Sequence, residues 1–187
     1  MTQAPLSFDL NQEMLTILGQ KLDVEKLVSR LAEAVAGKQG REAEEAAKGV
    51  LEEYGKEWAR QTLELGEQHS DRTYQMLKEV VDETGSFGFA LLPQRFVEIA
   101  YLSTQQIRSL PILENNNRRL AYEMRNCYLF NQVKEKCGEA VANLMTCSQA
   151  CLTLLHSIYE SLGLEAAIEM QASMSKDGCC RFAATRV

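Results

Sequence analysis

The stretch LEAAIEMQASMSKDGCCRFAATR, residues 164–186, decides the fold class. Leu164, Ala166, Ile168, Met170, Ala172 and Met174 recur at every second position, the pattern of a strand that buries one face. Ser175, Lys176, Asp177 and Gly178 then supply turn chemistry, and Cys179 to Arg186 returns as a second strand. The chain ends in an antiparallel hairpin.

Upstream of the hairpin, residues 139–162 carry Leu144, Cys147, Cys151, Leu155, Ile158 and Leu162 at spacings of three and four, which predicts one long helix ending before Gly163. A shorter helix, Tyr128 to Cys137, precedes it and is broken by Gly138. Leu120, Tyr122 and Met124 alternate with charged or small neighbours and predict a strand from Arg118 to the region of Cys127. The run FVEIAYL predicts another strand, Phe96 to Leu102, with LENNNRR as the polar turn between the two. The first 85 residues read as helices only. Asp9 and Gln12 are spaced as a capping pair before Met14, and helices are expected over 23–36, 41–66 and 71–84, the last stopped by Gly85. The expected class is α+β: a helical region, 1–85, followed by a module, 86–187, in which an antiparallel sheet packs on a long helix.

With 187 residues and 45% hydrophobic content the chain can bury a full core without disulfides. No apolar run reaches the ~18 residues of a membrane span, and MTQAPLSFDL lacks the basic start and apolar stretch of a signal peptide, so a cytoplasmic protein is expected. The net charge of −6 is uneven: residues 1–85 carry 10 basic and 17 acidic side chains, residues 86–187 carry 10 and 9. No segment offers the basic stripe that a phosphate backbone requires, which argues against direct nucleic-acid binding. The acidic helices read as solvated surfaces or, through Tyr54 and Trp58, as a lid or dimerisation arm; a homodimer is expected.

All six cysteines lie between Cys127 and Cys180, and thiols are soft ligands and nucleophiles, so this end of the chain is where chemistry is expected. Cys147 and Cys151 are one helical turn apart, Cys127 closes a strand and Cys180 opens another, sharing a face with Phe182 and Ala184. If Cys127, Cys147, Cys151 and Cys180 converge, they line a small-molecule pocket or form a metal set suited to zinc or an iron–sulfur cluster. Plain packing in the core is the other reading of each, and the one preferred for Cys137. Arg181, with Arg125, is a candidate for lowering a thiol's pKa or holding a carboxylate, and Asp177 for orienting a ligand, although strand-edge charge and turn chemistry explain both. His69 lies in a polar turn, and His156 on the helix face opposite the thiols.

The stretch from Arg125 to Phe182 resembles the C-terminal half of the L-2-amino-thiazoline-4-carboxylic acid hydrolase-like family and the related 4-vinyl reductase domains. The resemblance rests on Cys127, Lys134 to Gly138, Cys147 or Cys151, and Gly178-Cys179-Cys180-Arg181-Phe182. It implies an α+β ligand-binding domain, distantly similar to TRAPP-type vesicle-tethering subunits, with a cysteine-lined pocket between helix and sheet. Three functions follow as expectations: a small-molecule-binding protein, a hydrolase acting on a cyclic amidine, or an interaction protein whose thiols only pack. LAYEMRNC departs from the acidic and aromatic lead-in of the hydrolases.

Overall fold

Strands β1 (Ile112–Asn115), β2 (Arg119–Met124), β3 (Ala166–Ala172) and β4 (Cys180–Arg186) form an antiparallel sheet in the order β1-β2-β4-β3. The computed structural model describes residues 8, 10–84, 89, 91–144 and 148–187. The C-terminal hairpin is β3–β4, and its tip is a short helical turn closed by Gly178 at φ 68°, a left-handed conformation that glycine adopts without strain. β4 also pairs with β2, placing Cys180 opposite Met124, Phe182 opposite Tyr122 and Ala184 opposite Leu120.

The helices are α1 (Gln12–Lys21), α2 (Val24–Val35), α3 (Gly40–Gln68), α4 (Arg72–Thr84), α5 (Leu91–Thr104), α6 (Tyr128–Cys137), α7 (Glu139–Leu144), α8 (Ser148–Ser161) and the turn α9 (Met174–Asp177). The cap of α1 is Asn11, whose side chain accepts from Met14 N at 3.0 Å; Asp9, expected as its cap, lies outside the described residues. The Asp23 carboxylate caps α2 by accepting from Glu25 N and Lys26 N. Gly85, expected to stop α4, lies outside the described residues.

One expected strand is a helix. Phe96 to Leu102 lies within α5, where Phe96, Val97, Ile99, Ala100 and Tyr101 are all buried. A helix enclosed on every side loses its polar face, so its apolar run imitates a strand by composition. Pro93 sits in its first turn, where a missing N–H costs no hydrogen bond. A hairpin does form at LENNNRR, but its first arm is β1 in place of Phe96 to Leu102, and Leu113 to Asn115 and Arg119 of the expected turn belong to its strands. The long helix expected over 139–162 is described as α7 and α8, with residues 145–147 outside the description.

Helix α3 crosses α8 closely. A Cβ on Gly55 would stand 2.5 Å from the carbonyl oxygen of Ala150, so only glycine permits this approach. The hydrophobic cluster extends from Met14 on α1 through Trp58 and Tyr101 to Phe182 on β4, joining the helical region to the sheet. Tyr54 and Trp58, the expected contact of a lid or dimerisation arm, are 8% and 0% exposed. They are core side chains: Trp58 packs on α5, donating to Ala100 O and meeting the Tyr101 ring, and Tyr54 turns toward α2 and donates to Leu22 O. No helix among the described residues is long and apolar enough to cross a membrane.

Candidate functional site

An aromatic series connects α3 to the sheet. Ring centroids are 5.6 Å apart for Tyr54 and Trp58, 5.2 Å for Trp58 and Tyr101, 5.4 Å for Tyr101 and Tyr122, and 5.5 Å for Tyr122 and Phe182. Trp58 Nε1 donates to Ala100 O, and the hydroxyls of Tyr101 and Tyr122 hydrogen-bond each other at 3.1 Å. Cys127, Cys151 and Cys180 border this series and are all buried. Burial, with Cys151 as the next cause, pushes the phenols of Tyr101 and Tyr122 well above their ordinary range. Burial does the same to Tyr54, to which Cys151, Asp23 and Cys127 add.

Each described thiol of the expected set has a local role. Cys127 is the N-cap of α6, its sulfur accepting from Phe130 N at 3.3 Å while facing Gln105 Oε1 at 3.6 Å. Cys180 is on the same side of β4 as Phe182, as alternation requires. Cys147 lies outside the described residues. Among the described residues, no group of three or more His, Cys, Asp or Glu is gathered to hold a metal ion. Half-buried Cys137 has its thiol pushed up by burial.

Arg181 does not join Cys180, since adjacent strand residues point to opposite faces. It binds Glu123, its register partner on β2, through Nη2 at 2.5 Å and Nε at 3.1 Å, while Arg125 Nε reaches the same carboxylate at 2.8 Å. The hydrogen bonds from Arg125 and Arg181 hold the Glu123 carboxyl below its ordinary value. Asp177 closes the hairpin tip by accepting from Ser173 N at 2.8 Å. His156 is exposed on α8, and His69 is the half-buried C-cap of α3.

A concave site lies elsewhere, between α2 and α3. This cleft encloses about 510 Å³ over a floor of Leu22, Leu27 and Tyr54. Lys21, Lys26, Arg30, Lys56 and Arg60 line it, against Asp23, Glu53 and Glu57. Three of these cations are matched: Lys26 with Asp23 at 3.6 Å, Arg30 with Glu53 at 2.8 Å, and Arg60 with Glu57 at 2.7 Å. Lys21 instead donates to the neutral amide of Gln61 at 3.1 Å. Lys56 has no ion-pair partner among the described residues. Hydrogen bonds from Arg60 and Gln61 lower the Glu57 carboxyl to about 2, so its charge persists in mild acid. Spare positive charge thus collects in a region whose overall balance is acidic. The basic residues are spaced four apart on each helix, Lys26 with Arg30 and Lys56 with Arg60, but that α2 and α3 face each other is a tertiary fact.

No family model matches the chain, and no curated protein matches it. The solved structures to which it is similar include H-NOX domains. One, from work on the function of heme distortion in the H-NOX family, has a TM-score of 0.30 and 11% identity, covering 94% of this chain and 93% of that one. Another, an oxygen-binding H-NOX domain related to soluble guanylate cyclases, has a TM-score of 0.30 and 12% identity, covering 93% and 92%. The resemblance to thiazoline hydrolases and 4-vinyl reductase domains is thereby corrected: no family model matches the chain, those two families included. The shared sequence features, a cysteine after a strand and a glycine turn before another, are explained here by a helix cap and a hairpin tip.

Proposed function

We propose that this chain is a small-molecule-binding protein and that its ligand is a small anion with an apolar body, held in the α2–α3 cleft. The observation that carries this reading is the pair of lysines that make no ion pair among the described residues, Lys21 and Lys56, in the lining of a cleft of ligand size with an apolar floor. An acidic group would complete the local charge balance, and Leu22, Leu27 and Tyr54 would cover its apolar part. Calorimetric titration with citrate and with naphthalene-2-sulfonate tests it. Saturable binding is expected, tighter for the aromatic sulfonate, and weakened about tenfold in Lys21→Gln/Lys56→Gln with loss of about 1.4 kcal/mol. No saturable binding, or binding indifferent to the double substitution, would overturn the reading.

The second reading is a ligand that opens the buried core at the thiols. Tyr54 is both floor of the cleft and neighbour of Cys151 and Cys127, so a ligand displacing its ring would meet sulfur. Tyr54→Ala should then expose Cys127 and Cys151 to a maleimide that leaves them untouched in the native protein, and full protection in the variant argues for plain packing. A zinc or iron–sulfur version requires Cys147 beside Cys127, Cys151 and Cys180. Metal analysis and a visible spectrum before and after chelation decide it, a metal-free, colourless protein removing the idea. Heme, named for an H-NOX relative, does not fit the residues present: Trp58, Tyr101, Tyr122 and Phe182 fill the space between helices and sheet, and neither histidine belongs to that core.

A further inference from the structure

A second groove, of about 550 Å³, opens on the other side of the α1–α2 joint. Its walls come from α1, the start of α2, the end of α5 and Tyr128, the first residue of α6. In contrast to the α2–α3 cleft, its lining contains no lysine or arginine. Its two carboxylates are engaged: Asp23 caps α2 and pairs with Lys26, and Glu25 Oε1 lies 3.4 Å from the Tyr128 hydroxyl. The rest of the lining mixes uncharged polar side chains, among them Gln12, Thr16, Gln20 and Gln106, with the apolar Leu15, Val24 and Leu102. Gln12 and Gln20 extend exposed primary amides into it from α1, each able to donate two hydrogen bonds and accept at its oxygen.

Gln106 completes the wall at a conformational cost. It is the one non-glycine among the described residues with positive φ, at 53°, which costs an L-residue about 1–2 kcal/mol. The cause lies next door. Gln105 is turned inward, 1% exposed, with its Oε1 accepting from Leu129 N at 3.4 Å, so the chain must reverse to leave α5. Glycine would make that turn without strain, yet the position carries a long amide that lines the groove with Tyr128. Gln106, Tyr128 and Glu25 therefore share one polar rim of the groove, the half-exposed phenol reaching the Glu25 carboxylate.

We infer that this groove binds a neutral polyhydroxylated molecule, a sugar or polyol. Amides of Gln12, Gln20 and Gln106 would supply donors and acceptors to neighbouring hydroxyls, the Glu25 carboxylate would accept from one, and the Tyr128 ring offers an apolar face for the carbons. The mixture of donors, acceptors and ring, without a spare cation, selects against anions. Amide chemical-shift titration with glucose, myo-inositol and mannitol, with agmatine as a cationic comparison, tests this.

Saturable shifts confined to Gln12, Gln20, Gln106 and Tyr128 are expected for at least one polyol. In Gln106→Gly the relieved backbone should leave the protein as stable as before or more so, while polyol binding weakens about tenfold, the equivalent of one lost hydrogen bond. Tyr128→Phe, which keeps the ring, should weaken binding less than Tyr128→Ala. Absence of saturable shifts with all three polyols, preference for agmatine, or binding unchanged in both Gln106→Gly and Tyr128→Ala would each overturn the assignment.

Discussion

Arg95 is 0% exposed, an unusual place for a guanidinium. Its Nε bonds Asp71 Oδ2 at 2.7 Å, an Nη donates to His69 O at 3.0 Å, and its plane lies 4.2 Å from the centroid of Tyr74. These contacts fix the turn between α3 and α4, where Asp71 also caps by accepting from Tyr74 N at 3.0 Å. Arg95→Ala leaves a buried carboxylate without its partner and is expected to cost about 3–5 kcal/mol in urea unfolding. Arg95→Met with Asp71→Asn should recover part of that loss, because no net charge then stays buried. Equal destabilisation of single and double variants would mean that packing, not charge, holds the turn. The sequence contained no signal for this pair, since Asp71 and Arg95 are 24 positions apart and each alone reads as an ordinary surface charge.

At the scale of elements, the α3–α8 crossing depends on Gly55. Gly55→Ala sets a methyl against the Ala150 carbonyl, and the helices must separate; a loss of about 1–3 kcal/mol is expected by thermal unfolding. Helix propensity alone predicts the opposite, since alanine is favoured over glycine in a helix by about 1 kcal/mol, so a stabilised variant would disprove the close crossing. On the exposed side of α3, the Glu57 carboxyl is lowered to about 2, first by its hydrogen bond with Arg60. A depressed carboxyl stabilises the fold above its unfolded pKa, and the contribution is lost as pH falls through the folded value near 2. Glu57→Gln should thus cost less than about 1 kcal/mol at neutral pH, the size of a half-exposed ion pair, and the difference from the parent should vanish near pH 2. A difference that persists in acid would assign the effect to something other than ionisation.

Legibility also varied by element. Tyr128–Cys137 was readable to its ends because a helix with one buried face keeps its period, and Gly138 at φ 89° marks its stop in the sequence as in the structure. The β3–β4 hairpin was readable for the matching reason, β3 being half-buried along its length in strict alternation. Helix α5 reads as a strand because burial on nearly all sides erases its helical periodicity. The true first arm of that hairpin, the short strand β1, carries only four residues of signal.

Across the whole molecule, residues 1–85 and 86–187 contribute to one hydrophobic cluster through Trp58, Tyr101, Tyr122 and Phe182. The two regions are therefore expected to unfold together. Trp58 is the sole tryptophan and is 0% exposed, so its emission reports this junction. Loss of its blue-shifted emission should coincide with loss of far-ultraviolet dichroism in denaturant. Two separated transitions would instead support independent folding of the halves.

By itself, the sequence determined the α+β class, most helix limits, the final hairpin and the side of β4 on which Cys180 lies, because each follows from periodicity within a short segment. The tertiary structure alone decided that Arg181 pairs with Glu123 across the sheet instead of serving a thiol, and that Lys21 and Lys56 stand over one cleft. Those facts depend on which elements lie beside each other, and packing of distant segments leaves no local period for a sequence to display.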